Sequence, residues 1–223
     1  MASAALLSNV SASSVDIAVP RCTRRTALWK DVLDRPAAAL GILVLMPLFA
    51  VLAALVKLSG PGPVLHRRRV LGQGGREFDA FKFRTMVVDA DAILAADATL
   101  QSAFAVNHKL HDDPRITTVG RFLRRYSLDE LPQLFNVLVG DMWLIGPRMI
   151  TAPELEKYGD RGPKLLSMKP GLSGLWQVSG RQNTSYERRV ELDMHYIDHW
   201  SPGVDLGILF RTIKTVVRAE GAY

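Results

Sequence analysis

Two adjacent carboxylates, Asp129 and Glu130, follow Arg121, Arg124 and Arg125 in otherwise apolar sequence. A carboxylate is a workable nucleophile toward phosphorus, forming an acyl phosphate, once the charge on the phosphate has been neutralised. Lys82, Arg84, Arg115, Arg124, Arg148 and Arg181 are candidate cations for that task. Guanidinium groups grip phosphate through paired hydrogen bonds, and a diphosphate needs several. Magnesium held by one carboxylate and the diphosphate would supply much of the remaining neutralisation. A plainer reading competes. Ser127 is placed to cap a helix whose first turn holds both acids, where the helix dipole favours them whatever they do. An Asp-Glu pair alone does not choose between the two.

The elements that must position these groups can be read in outline. Val119–Arg125 predicts a short basic helix and Glu130–Leu138 an apolar one. Strand-like runs at Val64-Leu65 and Phe78–Phe83 flank Gly72, Gly74 and Gly75, which suit a hairpin turn better than a phosphate loop, since no Gly-Lys-Ser/Thr ending follows. Further helices are expected over Asp89 to about Ala105, Tyr186–His199 and Asp205–Arg218. The last sets Leu206, Leu209, Ile213, Val216 and Val217 opposite Arg211, Lys214 and Arg218, as an interfacial helix would, or one packed on its own domain.

Pro36 to Val56 is an uncharged stretch of 21 residues between Arg35 and Lys57. That is enough to reach across a bilayer. Pro47 sits in its middle, where it removes a helix hydrogen bond. Both flanks are basic: Arg21, Arg24, Arg25, Lys30 and Arg35 before, Lys57, Arg67, Arg68 and Arg69 after. Positive flanks favour the cytoplasmic side. A helix broken at Met46-Pro47 that enters and leaves by one leaflet satisfies both facts, with a straight span as its competitor.

The chain has 223 residues, is 48% hydrophobic and carries a net charge of +6. A basic balance suits nucleic acid, an anionic membrane face or phosphorylated small molecules. The single Cys22 excludes an intrachain disulfide. His195 and His199 stand four apart on an expected helix but lack a third ligand in the sequence, so no zinc site is inferred.

Five ordered motifs resolve the ambiguity: Lys82-Phe83-Arg84-Thr85-Met86; Asp112-Asp113-Pro114-Arg115-Ile116-Thr117; Ser127-Leu128-Asp129-Glu130-Leu131-Pro132-Gln133-Leu134; Gly146-Pro147-Arg148; and Pro170-Gly171-Leu172-Ser173-Gly174-Leu175-Trp176-Gln177. Together they resemble the bacterial sugar transferase family, the monotopic phosphoglycosyl transferases, over about residues 30 to 223. Within it, the chain is most similar to the short exopolysaccharide-initiating branch of undecaprenyl-phosphate galactose phosphotransferases, including the closing Gly221-Ala222-Tyr223.

The resemblance implies an α/β fold, mostly helical with few short strands. It divides into a flexible extension over 1–29, a re-entrant membrane helix over 30–59 and a cytoplasmic catalytic domain over 60–223, aided by interfacial helices. It implies transfer of galactose-1-phosphate or glucose-1-phosphate from a UDP-sugar to undecaprenyl phosphate at the bacterial inner membrane, with UMP released. Asp129 would be nucleophile and magnesium ligand, and Glu130 its catalytic partner. Arg124 would contact phosphate, with Lys82, Arg84, Arg115, Arg148 and Arg181 as further substrate-binding residues. A homodimer and downstream glycosyltransferases are the expected protein partners, and nucleic acid is not among them.

Three positions depart from the family pattern. Met46 stands where a serine usually precedes the helix-breaking proline. Arg68 and Val70 replace a Gln or His and a basic residue, and Met149 replaces the proline after Arg148. A non-catalytic membrane scaffold is the alternative function, and the presence of Asp129 argues against it.

Overall fold

The computed structural model describes residues 24–107, 110, 113–180 and 184–218. Arg181, Asp112, the first 23 residues and the closing Gly221-Ala222-Tyr223 lie outside the described residues. As expected, the chain is mostly helical, with few short strands.

Helix α1 runs from Arg24 to Leu58 without interruption, through both Pro36 and Pro47. It therefore begins six residues before the expected start at residue 30, and Met46-Pro47 does not end it. Proline forfeits one hydrogen bond and crowds the preceding turn, a cost of about 3 kcal/mol. Packing of the helix between Ala38 and Val56 offsets that cost. Ala38, Leu52 and Val56 are buried, and Ile42, Leu45, Leu48 and Phe49 pack beside them on the same stripe. The opposite face, with Leu40, Leu43, Val44, Met46 and Val51, is exposed. Only 11% of the most apolar stretch is buried, unlike the mostly buried core helix of a soluble protein; by length and composition α1 is long and apolar enough to cross a membrane.

Strands β1 (Leu65–Leu71) and β2 (Glu77–Phe83) form an antiparallel hairpin across the glycine-rich turn, as the sequence predicts. Alternation puts Val70, Phe78 and Ala80 on one face, against α1 and α5 (Gln133–Val139). The expected Asp89–Ala105 helix is two helices, α2 (Ala90–Ala96) and α3 (Ala98–Asn107), parted at Asp97. The Asp97 carboxylate accepts from the backbone N–H groups of Thr99 and Leu100 and so starts the second. Helix α4 (Thr118–Arg125) follows, capped by Thr117, whose hydroxyl accepts from the Gly120 N–H at 2.9 Å.

Both strands of the second sheet escaped the sequence reading, as did every other element between Leu138 and Tyr186. Strands β3 (Trp143–Ile145) and β4 (Gly171–Ser173) pair in parallel, β4 lying within the Pro170–Gln177 motif. Their core joins α6 (Gly162–Leu165), α7 (Tyr186–Asp198) and α8 (Pro202–Arg218) around Trp143, Met168, Tyr196 and Ile208. Helix α8 buries Ile208 but leaves Leu206, Leu209, Phe210, Ile213 and Val217 exposed.

Candidate active site

Asp129 and Glu130 occupy a single 3-10 turn, Leu128–Glu130, rather than the first turn of an α-helix; α5 begins only at Gln133. Ser127 does not cap it. It adopts the left-handed conformation, with φ of 55°, and turns the chain sharply between α4 and the acidic pair. The dipole explanation for the two acids therefore lapses. Leu128 and Leu131 hold the turn against Leu52 and Val56 of α1, so the carboxylates sit beside the apolar helix.

Asp129 is buried, at 8% exposure, whereas Glu130 is half-buried. Lys82, on β2, donates to the Glu130 carboxylate at 2.5 Å. Arg124, at the end of α4, donates through Nε to the Thr85 hydroxyl at 2.9 Å. Burial foremost, and then the neighbouring charge of Glu130, push the Asp129 carboxyl up to about 6, against the opposing pull of Lys82 and Arg124. Burial likewise pulls Arg124 below its usual range, partly countered by Asp129.

The approach of α4 to β2 depends on Gly120. A Cβ there would collide with the backbone carbonyl of Thr85, and the same carbonyl accepts the Thr117 N–H at 3.0 Å. This junction brings Arg124 to Thr85.

The structure thus gathers Lys82, Arg124, Asp129 and Glu130. It places the other candidates differently. Arg84 is buried, and its guanidinium donates to the carbonyls of Val56, Gly60 and Pro61, the last at 2.5 Å, tying down the end of α1. Arg115 forms a fork with Asp113 at 2.8 and 2.7 Å, and this pair stands beside the site, within electrostatic reach of Arg124. Burial opposes ionisation of Asp113, but Arg115 holds its carboxyl below the usual carboxylate range. Arg148 belongs to a separate cluster: it meets Glu154 at 3.4 Å and lies 4.5 Å over the Trp176 ring. Its backbone N–H donates to fully buried Asp193, which burial pushes up to about 6. Arg181 lies outside the described residues.

Thr85 and Asp113 were missed as positioning groups, although both stand within motifs that drew attention for their cations. Hydrogen-bond partners of arginine are not readable from spacing. Among the described residues no group of three His, Cys, Asp or Glu side chains forms a ready-made metal site. Magnesium needs less than that. It binds through one or two carboxylates and completes its shell with water and substrate phosphate, and the hard oxygens of Asp129 and Glu130 fit.

A buried carboxylate with a raised pKa, set among cations, has the makings of a site for anionic substrates. Residues 25–219 match the bacterial sugar transferase family, and the chain belongs to that family. It is an enzyme. It is 43% identical over 204 residues to the undecaprenyl-phosphate galactose phosphotransferase of Salmonella typhimurium, covering 90% of this chain and 43% of that protein. It is 42% identical over 198 residues to the exopolysaccharide production protein ExoY of Sinorhizobium fredii, covering 87% and 88%. It is 39% identical over 206 residues to a UDP-glucose:undecaprenyl-phosphate glucose-1-phosphate transferase of Xanthomonas campestris, covering 87% and 40%. The chain spans less than half the length of the first and third of these relatives and most of the second.

Proposed function

We propose that this protein transfers a hexose-1-phosphate, galactose-1-phosphate or glucose-1-phosphate, from a UDP-sugar to undecaprenyl phosphate. This would be the first membrane step in making an exopolysaccharide. The observation that carries the reading is Asp129: a buried carboxylate beside a lipid-length helix, flanked by Lys82 and Arg124. The names of the relatives supply the sugar phosphate and the lipid carrier.

An Asp129 oxygen attacks the sugar-proximal phosphorus. The bond from that phosphorus to the bridging oxygen breaks, and its electron pair leaves with UMP. A phosphate oxygen of undecaprenyl phosphate then attacks the same phosphorus, the acyl-phosphate bond breaks, and Asp129 returns as a carboxylate. Lys82 and Arg124 offset the charge that would otherwise repel an anionic nucleophile from an anionic donor. Glu130, held by Lys82, tunes Asp129, and the two carboxylates would hold a magnesium ion. When bound, that ion neutralises diphosphate charge.

The membrane arrangement we infer is one-sided. Near the start of α1, Lys30 pairs with Asp205, Asp31 accepts from Lys169 at 2.7 Å, and Asp34 accepts from the Leu144 N–H at 2.9 Å. At its far end Arg84 grips three carbonyls. One compact domain holding both ends is hard to reconcile with ends on opposite sides of a bilayer. It favours a re-entrant α1 with the catalytic domain in the cytoplasm.

The test is UMP release from a panel of UDP-sugars, with undecaprenyl phosphate, by detergent-solubilised protein and by Asp129→Asn. Release by the parent with one hexose donor preferred, and none by the variant, is expected. Undiminished release by the variant would remove the nucleophile.

A further inference from the structure

We propose that the cleft where Arg35 lies over Gly140 is a second binding site, one that takes the phosphate headgroup of an anionic phospholipid. A cavity of about 350 Å³ opens here, lined by Arg35, Arg76, Lys169, Asp141, Phe78 and Val139 among others. Its volume falls in the roughly 300–1,000 Å³ range of small-molecule sites.

Two of its three cations are already engaged. Arg76 pairs with Asp141, and Lys169 donates to both oxygens of Asp31, at 2.7 and 2.9 Å. Arg35 has no hydrogen-bond or ion-pair partner among the described residues. Its guanidinium rests on Gly140, in space a Cβ would fill, and Gly140 itself sits at φ of 89°. The left-handed turn ending α5 thus provides a seat for a cation with no hydrogen bond of its own, drawn only at longer range by Asp31, which Lys169 already holds. Three cations against two carboxylates leave one positive charge, the complement of a monoanionic phosphodiester.

Position selects the lipid. Arg35 is the last charge before the uncharged stretch of α1, and Val139 on the rim is 64% exposed. A basic cleft with an apolar lip at that border meets headgroups. It is distinct from the acceptor's position at the dyad. Val56, which packs beside the acidic turn, lies roughly 30 Å further along α1 at 1.5 Å per residue. The inference rests on the proposed membrane arrangement.

The experiment uses the full chain and follows its unfolding midpoint in phosphatidylcholine bilayers titrated with phosphatidylglycerol. Arg35→Gln is compared with Arg188→Gln, an exposed arginine paired with Glu191 elsewhere. Phosphatidylglycerol should stabilise the parent and Arg188→Gln alike, with an apparent affinity about fivefold weaker in Arg35→Gln. UMP release in detergent should be the same for all three. Equal lipid affinity in Arg35→Gln overturns the site. Equal stabilisation by inorganic phosphate overturns the lipid assignment. Failure of the parent to float with vesicles overturns the membrane arrangement and this site together, whereas flotation with no Arg35 effect overturns the site alone.

Discussion

Asp129 carries a conflict between stability and chemistry, and that conflict is measurable. Its folded pKa, about 6, lies above the ordinary value of 3.8. The folded state therefore holds this proton more tightly than the unfolded chain does. The resulting stability is complete below about pH 4 and is lost as pH rises through 6. Replacing the buried carboxylate with a neutral amide removes the loss. Asp129→Asn should raise the unfolding midpoint at pH 8, leave it unchanged near pH 3.5, and reduce UMP release at least ~1000-fold. Calorimetry at the two pH values, paired with the release assay, checks this. In the proposed mechanism the reactive form is the carboxylate, so UMP release should fall on the acid side, with a midpoint that bound magnesium would set below the metal-free value of about 6. Glu130→Gln withdraws a like charge and should move that midpoint down; Lys82→Met withdraws a cation and should move it up. Shifts in the same direction would contradict the assigned electrostatics. The acids and their attendant cations were legible as residue types. Arg84 was not: a guanidinium that holds backbone carbonyls and one that holds phosphate look the same in sequence.

At the scale of elements, the site is a junction between the end of α1, β2, α4 and the acidic turn. Arg84→Met should cost roughly 2–4 kcal/mol by stranding carbonyls at the end of α1, and leave KM for the donor unchanged. A raised KM without loss of stability would return Arg84 to the substrate. Ser127→Gly should be neutral or mildly stabilising at φ of 55°, while Ser127→Val should cost about 1–2 kcal/mol; urea unfolding of both variants decides. The hairpin, α4, α7 and α8 were legible because periodicity and turn residues agreed. The acidic turn was misread as helix because Ser127 resembles a cap in sequence and serves as a left-handed corner in space. Strands β3 and β4 were invisible: three residues each, they owe their form to pairing between distant segments, not to local pattern.

For the whole molecule, apolar surface on α1 and α8 is exposed, and one domain grips α1 at both ends. With Cys22 replaced, cysteines at Ala27 and Gly60 should both resist labelling from the periplasmic side of intact cells. Labelling of one alone would establish a span. The apolar segment was evident in the sequence. Its continuity through Pro47 was not, because the packing that offsets a proline belongs to the tertiary structure.

The central claim is a covalent phosphosugar on Asp129. Incubating the protein with a UDP-hexose carrying label in the sugar, without undecaprenyl phosphate, and mapping the label by peptide mass spectrometry tests it most directly. The account predicts label on the peptide bearing Asp129, released by hydroxylamine, discharged by added undecaprenyl phosphate and absent from Asp129→Asn. Turnover to lipid-linked sugar with no label ever held by the protein, and no UMP until the lipid is added, would contradict it and indicate direct displacement.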